Sequence, residues 1–175
     1  MKLLIAALLL MFSSLLQPVQ AAESRFNAVV FLQPEQMLIE KKKVNFEDVA
    51  RFSRKMQSNI WNVLKKADVP NTSGFLVVAV RSDGAIAAWL DMEPAMDAFY
   101  SGKIVEAVQK VQPFDVATGT VVFGIKFFVD TPKWFVDKTK HTTRSKPTPK
   151  EWKAARAKLA NPDDIDELMM AVWPQ

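Results

Sequence analysis

The stretch FLVVAVRSDGAIAAWL, residues 75–90, decides the fold. Two runs rich in β-branched and small apolar residues flank the turn sequence Ser82-Asp83-Gly84, which is the pattern of a β-hairpin. Because Asp-Gly tolerates positive φ angles, we predict a tight type I′ turn there, and such a turn sets the register of both strands. This is the clearest hairpin pattern in the chain.

Amphipathic helices are predicted on both sides of the hairpin. Asn45 is a good N-cap, and apolar residues then recur at intervals of three and four until the pattern ends near Asp68. After the hairpin, residues 91–94 (DMEP) are typical of a helix start, since proline suits the first turn and carboxylates suit the positive end of the helix dipole. Pro113 ends this second helix.

The last predicted strand covers residues 120–129, where side chains alternate between two faces. One face carries Val121, Phe123, Ile125, Phe127 and Val129; the other carries Thr120, Val122, Gly124, Lys126 and Phe128. Because the second face is not fully polar, we expect it to be covered by the apolar segment at 25–32, by the C-terminal tail or by a partner.

The order α-β-β-α-β predicts an α+β domain with a three-stranded antiparallel sheet and both helices packed on one face. Residues 25–32 form an apolar strand pattern, and whether this strand joins the sheet is left open. We divide the chain into residues 1–22, a domain at 23–130, a linker at 131–149 and a short helical tail at 150–175.

The N-terminus has the pattern of a cleavable signal peptide. Lys2 precedes the apolar run Leu3–Leu16, Pro18 breaks it, and small residues follow at Ala21 and Ala22. The apolar run is shorter than the roughly 20 residues that a membrane-spanning helix needs. We therefore expect export to the periplasm, cleavage near Ala21 or Ala22, and no stable membrane anchor.

Composition excludes several kinds of chemistry. The 175 residues contain no Cys, so thiol nucleophiles, thiolate zinc sites and disulfides are excluded. The formal charge of +4 is concentrated in residues 131–150, where six Lys and Arg face one Asp. This basic segment favours a solvated linker or contact with an anionic surface, and we do not expect nucleic acid as a partner.

Residues 46–130 resemble a known family. Ile60-Trp61, Gly74, the turn at 82–84, the helix at 103–110 and the strand at 122–127 are similar in order and spacing to the C-terminal domain of TolA and TonB. The resemblance implies a periplasmic domain that binds peptides or protein domains, often by adding a strand at a free sheet edge. This chain lacks the family's membrane anchor and long spacer, so transduction from the inner membrane is not expected.

The sequence therefore predicts a protein-interaction module that binds a peptide or protein partner by strand addition. An unpaired edge offers backbone donors and acceptors to an extended peptide. The predicted edge is the strand at 120–129, and the predicted partner-binding residues are Thr120, Val122, Gly124, Lys126, Phe128, Trp134, Trp152 and Trp173. The alternative is an immunity-type protein or an envelope or secretion accessory protein that binds through its C-terminal helical tail.

No enzymatic activity, metal or cofactor is predicted. The single histidine, His141, lies in the basic linker, where a catalytic geometry is hard to hold. Asp91, Glu93 and Asp97 could hold a divalent cation, but charges at a helix start explain them more simply. The chain contains neither a Walker sequence nor GxGxxG, so nucleotide binding is not expected.

Overall fold

The computed structural model describes residues 24–67, 69–129 and 145–174. The elements in chain order are β1 (Ser24–Phe31), α1 (Glu35–Glu40), α2 (Phe46–Leu64), β2 (Thr72–Arg81), β3 (Ile86–Glu93), α3 (Ala98–Gln109), β4 (Thr120–Val129), α4 (Lys150–Arg156) and α5 (Ile165–Val172). The predicted α+β class is confirmed, as are the N-terminal strand and the helical tail.

The four strands form one antiparallel sheet in the order β1-β4-β2-β3. Strand β4 lies between two neighbours, with Phe123 opposite Phe31 of β1 and opposite Val78 of β2. The prediction that residues 120–129 form a free edge is therefore wrong. The N-terminal strand occupies that edge, because apolar groups on both faces of β4 are best buried at the centre of a sheet.

The hairpin between β2 and β3 is present, but its turn differs from the predicted one. The backbone N–H of Gly84 donates to the carbonyl of Arg81, and the N–H of Arg81 donates to the carbonyl of Ala85, each at 2.9 Å. Gly84 has a φ of 83°, whereas Asp83 is not among the residues with positive φ. A type I′ turn needs positive φ at both, so the loop is instead a three-residue turn whose glycine supplies the left-handed position.

The first long helix begins as predicted, and the second begins later. The side chain of Asn45 caps α2 by accepting from the N–H of Glu47 at 2.9 Å. The predicted helix start at residues 91–94 is wrong, because β3 continues to Glu93, which lies opposite Ser73 of β2. Helix α3 begins at Ala98, and Asp97 is its N-cap. Pairing with β2 outweighs the local helix-start signal.

Two apolar cores lie on opposite faces of the sheet. Helices α1, α2 and α3 cover the first face, where Phe123, Ile125 and Phe127 of β4 are fully buried. The tail helices α4 and α5 cover the second face, where Val122 packs with Trp152 and Leu168. The predicted second cover is therefore the tail itself. With both faces covered, the outer sides of the edge strands β1 and β3 are the places where backbone groups of the sheet can meet a partner.

Candidate peptide-binding edge

Strand β1 pairs with β4 along one side and with no other described strand. Its central residues, Asn27, Ala28 and Val29, are exposed, and Val29 is 39 % exposed. An edge of this kind carries a row of unpaired backbone donors and acceptors, which is the template that an added strand uses.

The hydrogen bond that ends the β1–β4 ladder shows which backbone groups of β1 face outward. The N–H of Leu32 donates to the carbonyl of Val122 at 3.0 Å, so the backbone groups of Leu32 point toward β4. Because backbone direction alternates along a strand, those of Val30 also point toward β4. The N–H and C=O groups of Val29 and Phe31 consequently point away from the sheet.

An apolar pocket of about 400 Å³ lies beside the end of this edge. Phe31, Leu38 and Phe46 supply its apolar walls, and Gln33 and Glu35 complete its lining. Two ring contacts hold Phe31 in place. Its ring centroid lies 5.3 Å from that of Phe46 in an edge-on contact and 5.8 Å from that of Phe123 in a tilted one. The pocket is therefore built from side chains that the core fixes.

The side chains of Val29 and Phe31 lie on the same face of the sheet as that pocket. Val29 lies opposite Ile125, and Phe31 lies opposite Phe123, so all four side chains share the face covered by α1, α2 and α3. Directly opposite residues in an antiparallel pair place their side chains on one face. An added strand opposite Val29 and Phe31 would direct its matching side chains to the same face.

A bulge limits the usable length of the edge. The register between β1 and β4 shifts between Phe26 and Val29. Bulges bend a strand and interrupt its pairing, and they are a common protection of sheet edges. The bulge therefore divides the edge into two short segments of continuous register, residues 24–26 and residues 29–31, and the second lies next to the pocket.

The opposite edge of the sheet, on β3, is more covered. The side-chain amide of Gln109 on α3 donates to the carbonyl of Ile86 at 3.5 Å. The N–H of Thr148, just ahead of the tail helices, donates to the carboxylate of Asp91 at 2.7 Å. Both ends of β3 are thus engaged by other segments, whereas the centre of β1 is open.

Side chains close the short part of β4 that extends beyond β1. The amide nitrogen of Gln33 donates to the carbonyl of Thr120 at 2.6 Å, and its amide oxygen accepts from the N–H of Val122 at 2.9 Å. The N–H of Thr120 donates to Asp166 at 2.7 Å. Gln33 thus pairs with β4 as another strand residue would. Sequence reasoning missed this contact, since no local pattern links Gln33 to a strand 87 residues away.

The predicted partner-binding residues are mostly inside the protein. Thr120, Val122, Gly124 and Phe128 are buried, and Lys126 is half-buried. Pro147 packs on Gly124 so closely that a Cβ there would lie 2.9 Å from its Cγ. These five residues form no surface for a partner.

The tail tryptophans are used within the chain. Trp152 is fully buried, with its ring centroid 5.2 Å from that of Trp89 in an edge-on arrangement. Its predicted role in partner binding is wrong while the tail is docked, because no part of the side chain is accessible. Trp173 is half-buried, and the guanidinium of Arg81 lies 4.7 Å from its ring centroid. Trp134 and His141 lie outside the described residues.

The acidic residues near the predicted helix start do not gather into one site. Asp91 and Glu93 lie on β3, and Asp97 caps α3 by accepting from the N–H of Phe99. Among residues 24–67, 69–129 and 145–174, no three His, Cys, Asp or Glu side chains are grouped so that they could hold a metal ion. Over the same residues, no helix is long and apolar enough to cross a membrane.

The chain was compared with known proteins at three levels. No protein-family model matches it, and neither the curated proteins nor the solved structures include a match. The edge, its pocket and the sequence are therefore the features that bear on function.

Proposed function

We propose that the protein is an exported, periplasmic protein-interaction module that binds an extended peptide segment of a partner by strand addition at β1. The observation that carries this proposal is the position of the outward backbone groups of Val29 and Phe31 beside the apolar pocket. Backbone hydrogen bonds supply affinity in this mode of recognition, and pockets for alternate side chains supply specificity.

The pocket defines the peptide chemistry. Its walls favour a Leu, Ile, Met or Phe side chain at the peptide position nearest Phe31, while the exposed carboxylate of Glu35 at the rim favours a basic neighbour. Four backbone hydrogen bonds contribute about 0.5–1.5 kcal/mol each, and one buried apolar side chain adds about 1.5–3 kcal/mol. After an association cost of at least ~4 kcal/mol, at most about 5 kcal/mol remains, so a single short peptide is expected to bind with a Kd on the order of a millimolar.

Two sequence features support the cellular setting. The segment Lys2 to Ala22 has the pattern of an export signal. The resemblance of residues 46–130 to the TolA and TonB C-terminal domain implies peptide or protein binding in the periplasm, and the helix-strand-strand-helix-strand order over that range is the order the resemblance leads one to expect. We propose no catalytic role.

The hypothesis that the tail binds a partner has no supporting contact among the described residues. Ile165, Leu168 and Met169 of α5 pack on the protein's own sheet. Met170, which is 80 % exposed, is a single apolar side chain rather than a surface. We therefore place the partner at β1.

The test is a selection of peptides from a random library on the purified protein, followed by binding measurements with two variants at one position. Val29→Pro removes an outward N–H but leaves the ladder with β4 intact, since proline is tolerated on an edge strand. Val29→Thr keeps the N–H and nearly the same shape. We expect Val29→Pro to lose binding at least about tenfold and Val29→Thr to retain it.

Ile39→Ser is the matched control for loss of an exposed apolar side chain, since Ile39 lies on α1 and is not part of the pocket lining. Selected peptides should share one apolar position whose replacement by Ala weakens binding. Equal binding to wild type and Val29→Pro would refute strand addition at β1.

A further inference from the structure

A second cavity, of about 520 Å³, lies on the opposite face of the sheet from the β1 pocket. It lies between the end of β1 and the segments that carry the tail. Its lining includes Leu32, Lys146, Pro147, Arg156, Asp163 and Ile165. Cavities of roughly 300–1,000 Å³ are the size that small ligands use.

The wall of this cavity that precedes α4 is fixed to the sheet at two points. Pro147 packs directly on Gly124 of β4, where a Cβ would come within 2.9 Å of its Cγ. The N–H of Thr148 donates to the carboxylate of Asp91 at 2.7 Å. Because both contacts join the wall to strands of the sheet, this wall is in place before any ligand arrives.

Arg156 brings a positive charge to the lining of this cavity. Its Nε atom is buried and has no hydrogen-bond partner among the described residues, and its Cζ lies 5.9 Å from the ring centroid of Trp152. Within the described part of the chain, the indole nitrogen of the fully buried Trp152 lacks a partner as well. Leaving a buried donor unsatisfied costs about 1–3 kcal/mol, and more for a charged group. Because this Nε is inaccessible, a ligand in the cavity meets Arg156 as a positive charge on the lining.

The charges around the cavity select a monoanion. Lys146 and Arg156 are cationic and Asp163 is anionic, so the lining carries a net charge of about +1. A monocarboxylate balances this charge and pairs with a guanidinium in a planar geometry. The charge of a phosphate dianion would exceed the net positive charge of the lining, and Asp163 would repel it. Leu32, Pro147 and Ile165 favour an apolar body on the ligand.

From these observations we infer that the cavity binds a small monocarboxylate with an apolar body, such as a short fatty acid. The carboxylate accepts from Arg156 and Lys146, and the apolar body lies against Leu32 and Ile165. The site is separate from the β1 edge and does not depend on peptide binding.

The probe is octanoate, titrated calorimetrically into the purified protein, with octanol and inorganic phosphate as comparison ligands. Octanoate should bind more tightly than either. Arg156→Gln should weaken octanoate binding about tenfold or more, because it removes a charged hydrogen bond. Lys146→Glu, at an exposed position, should weaken it as well, and circular dichroism checks that each variant is folded.

Lys153→Gln is the matched control, since Lys153 is an exposed lysine on the same helix as Arg156 and does not line the cavity. Its octanoate affinity should equal that of the wild type. If Arg156→Gln fails to fold, Lys146→Glu decides. The proposal is overturned if octanoate does not bind at millimolar concentration, if octanol binds as well as octanoate, or if Lys146→Glu leaves the affinity unchanged.

Discussion

The Nζ atom of Lys42 lies 2.8 Å from Oδ2 of Asp166, across 124 residues of sequence. The side chain of Lys42 is 3 % exposed, whereas that of Asp166 is 45 % exposed. The same carboxylate accepts from the N–H of Thr120 at 2.7 Å. Asp166 therefore joins α5 both to the segment between α1 and α2 and to the start of β4.

The first prediction is that the two partners of this ion pair are unequal in their effect on stability. Asp166→Ala leaves a buried ammonium without its partner, and we expect a loss of about 2–3 kcal/mol in the free energy of unfolding. Lys42→Met removes the buried charge and keeps the packing of the stem, while Asp166 stays partly solvated. We expect a loss of about half that size in urea denaturation.

Glu151→Ala is the control, because it removes an exposed carboxylate from the neighbouring tail helix. We expect it to change stability by less than about 0.5 kcal/mol. A larger loss for Lys42→Met than for Asp166→Ala would contradict the argument that the orphaned buried charge dominates.

The second prediction concerns Trp152, which forms the centre of the tail-side core. Replacing this fully buried indole by Ala leaves a cavity against Trp89 and Val122, and such changes cost about 3–5 kcal/mol. Relative to the wild type, amide hydrogen exchange should accelerate more in α4 and α5 than in α2, since the tail loses its main contact. Met170→Ala, at an 80 % exposed position on α5, should leave exchange unchanged. Uniform acceleration throughout the protein would show that the tail does not open separately.

Local sequence signals predict which residues form helices and strands better than they predict which of these elements lie next to each other. The cap at Asn45 and the hairpin around Gly84 are local interactions, so the residues that make them are adjacent in the chain. The alternation in β4 correctly separated its two faces, with Phe123 facing the helices and Val122 facing the tail. Alternation carries no information about which strands lie on either side, so the sequence pattern alone predicts a free edge at β4 rather than at β1.

The candidate site was missed for the same reason. The pocket joins Phe31 of β1 to Leu38 and Phe46 of two helices, and the outward groups of Val29 become visible only when β4 is known to be central. The side-chain amide of Gln33 bonds to β4 in place of a neighbouring strand, and no periodic pattern in the sequence links residues that lie so far apart in the chain. For Trp152 the sequence leaves two roles open, an interface with a partner, where tryptophan is common, and packing of the tail on its own domain; the structure has the second.

The third prediction uses two glycines with opposite surroundings. Gly102 lies exposed within α3 with nothing within 4 Å of an added Cβ, so Gly102→Ala should stabilise the protein by about 0.5–1 kcal/mol. A Cβ on Gly74 of β2 would overlap the carbonyl oxygen of Asp91 on β3. Gly74→Ala should therefore destabilise by about 1–3 kcal/mol. Thermal unfolding followed by circular dichroism should show shifts of opposite sign, and shifts of the same sign would contradict the β2–β3 geometry.

The fourth prediction concerns the pH response of the hairpin turn. The guanidinium of Arg81 donates to Asp83 at 2.6 Å and, with the N–H of Ala85, lowers the pKa of that carboxyl from 3.8 to about 2. A carboxyl whose pKa is lower when folded stabilises the folded state above its unfolded pKa, and this contribution is lost as the pH falls from about 4 to about 2. NMR titration should give a midpoint near 2 for Asp83, and Arg81→Gln should move it back toward 3.8. The stability of Asp83→Asn should change less than that of the wild type across the same pH range. A wild-type midpoint near 3.8 would mean that Arg81 and Asp83 do not pair in solution.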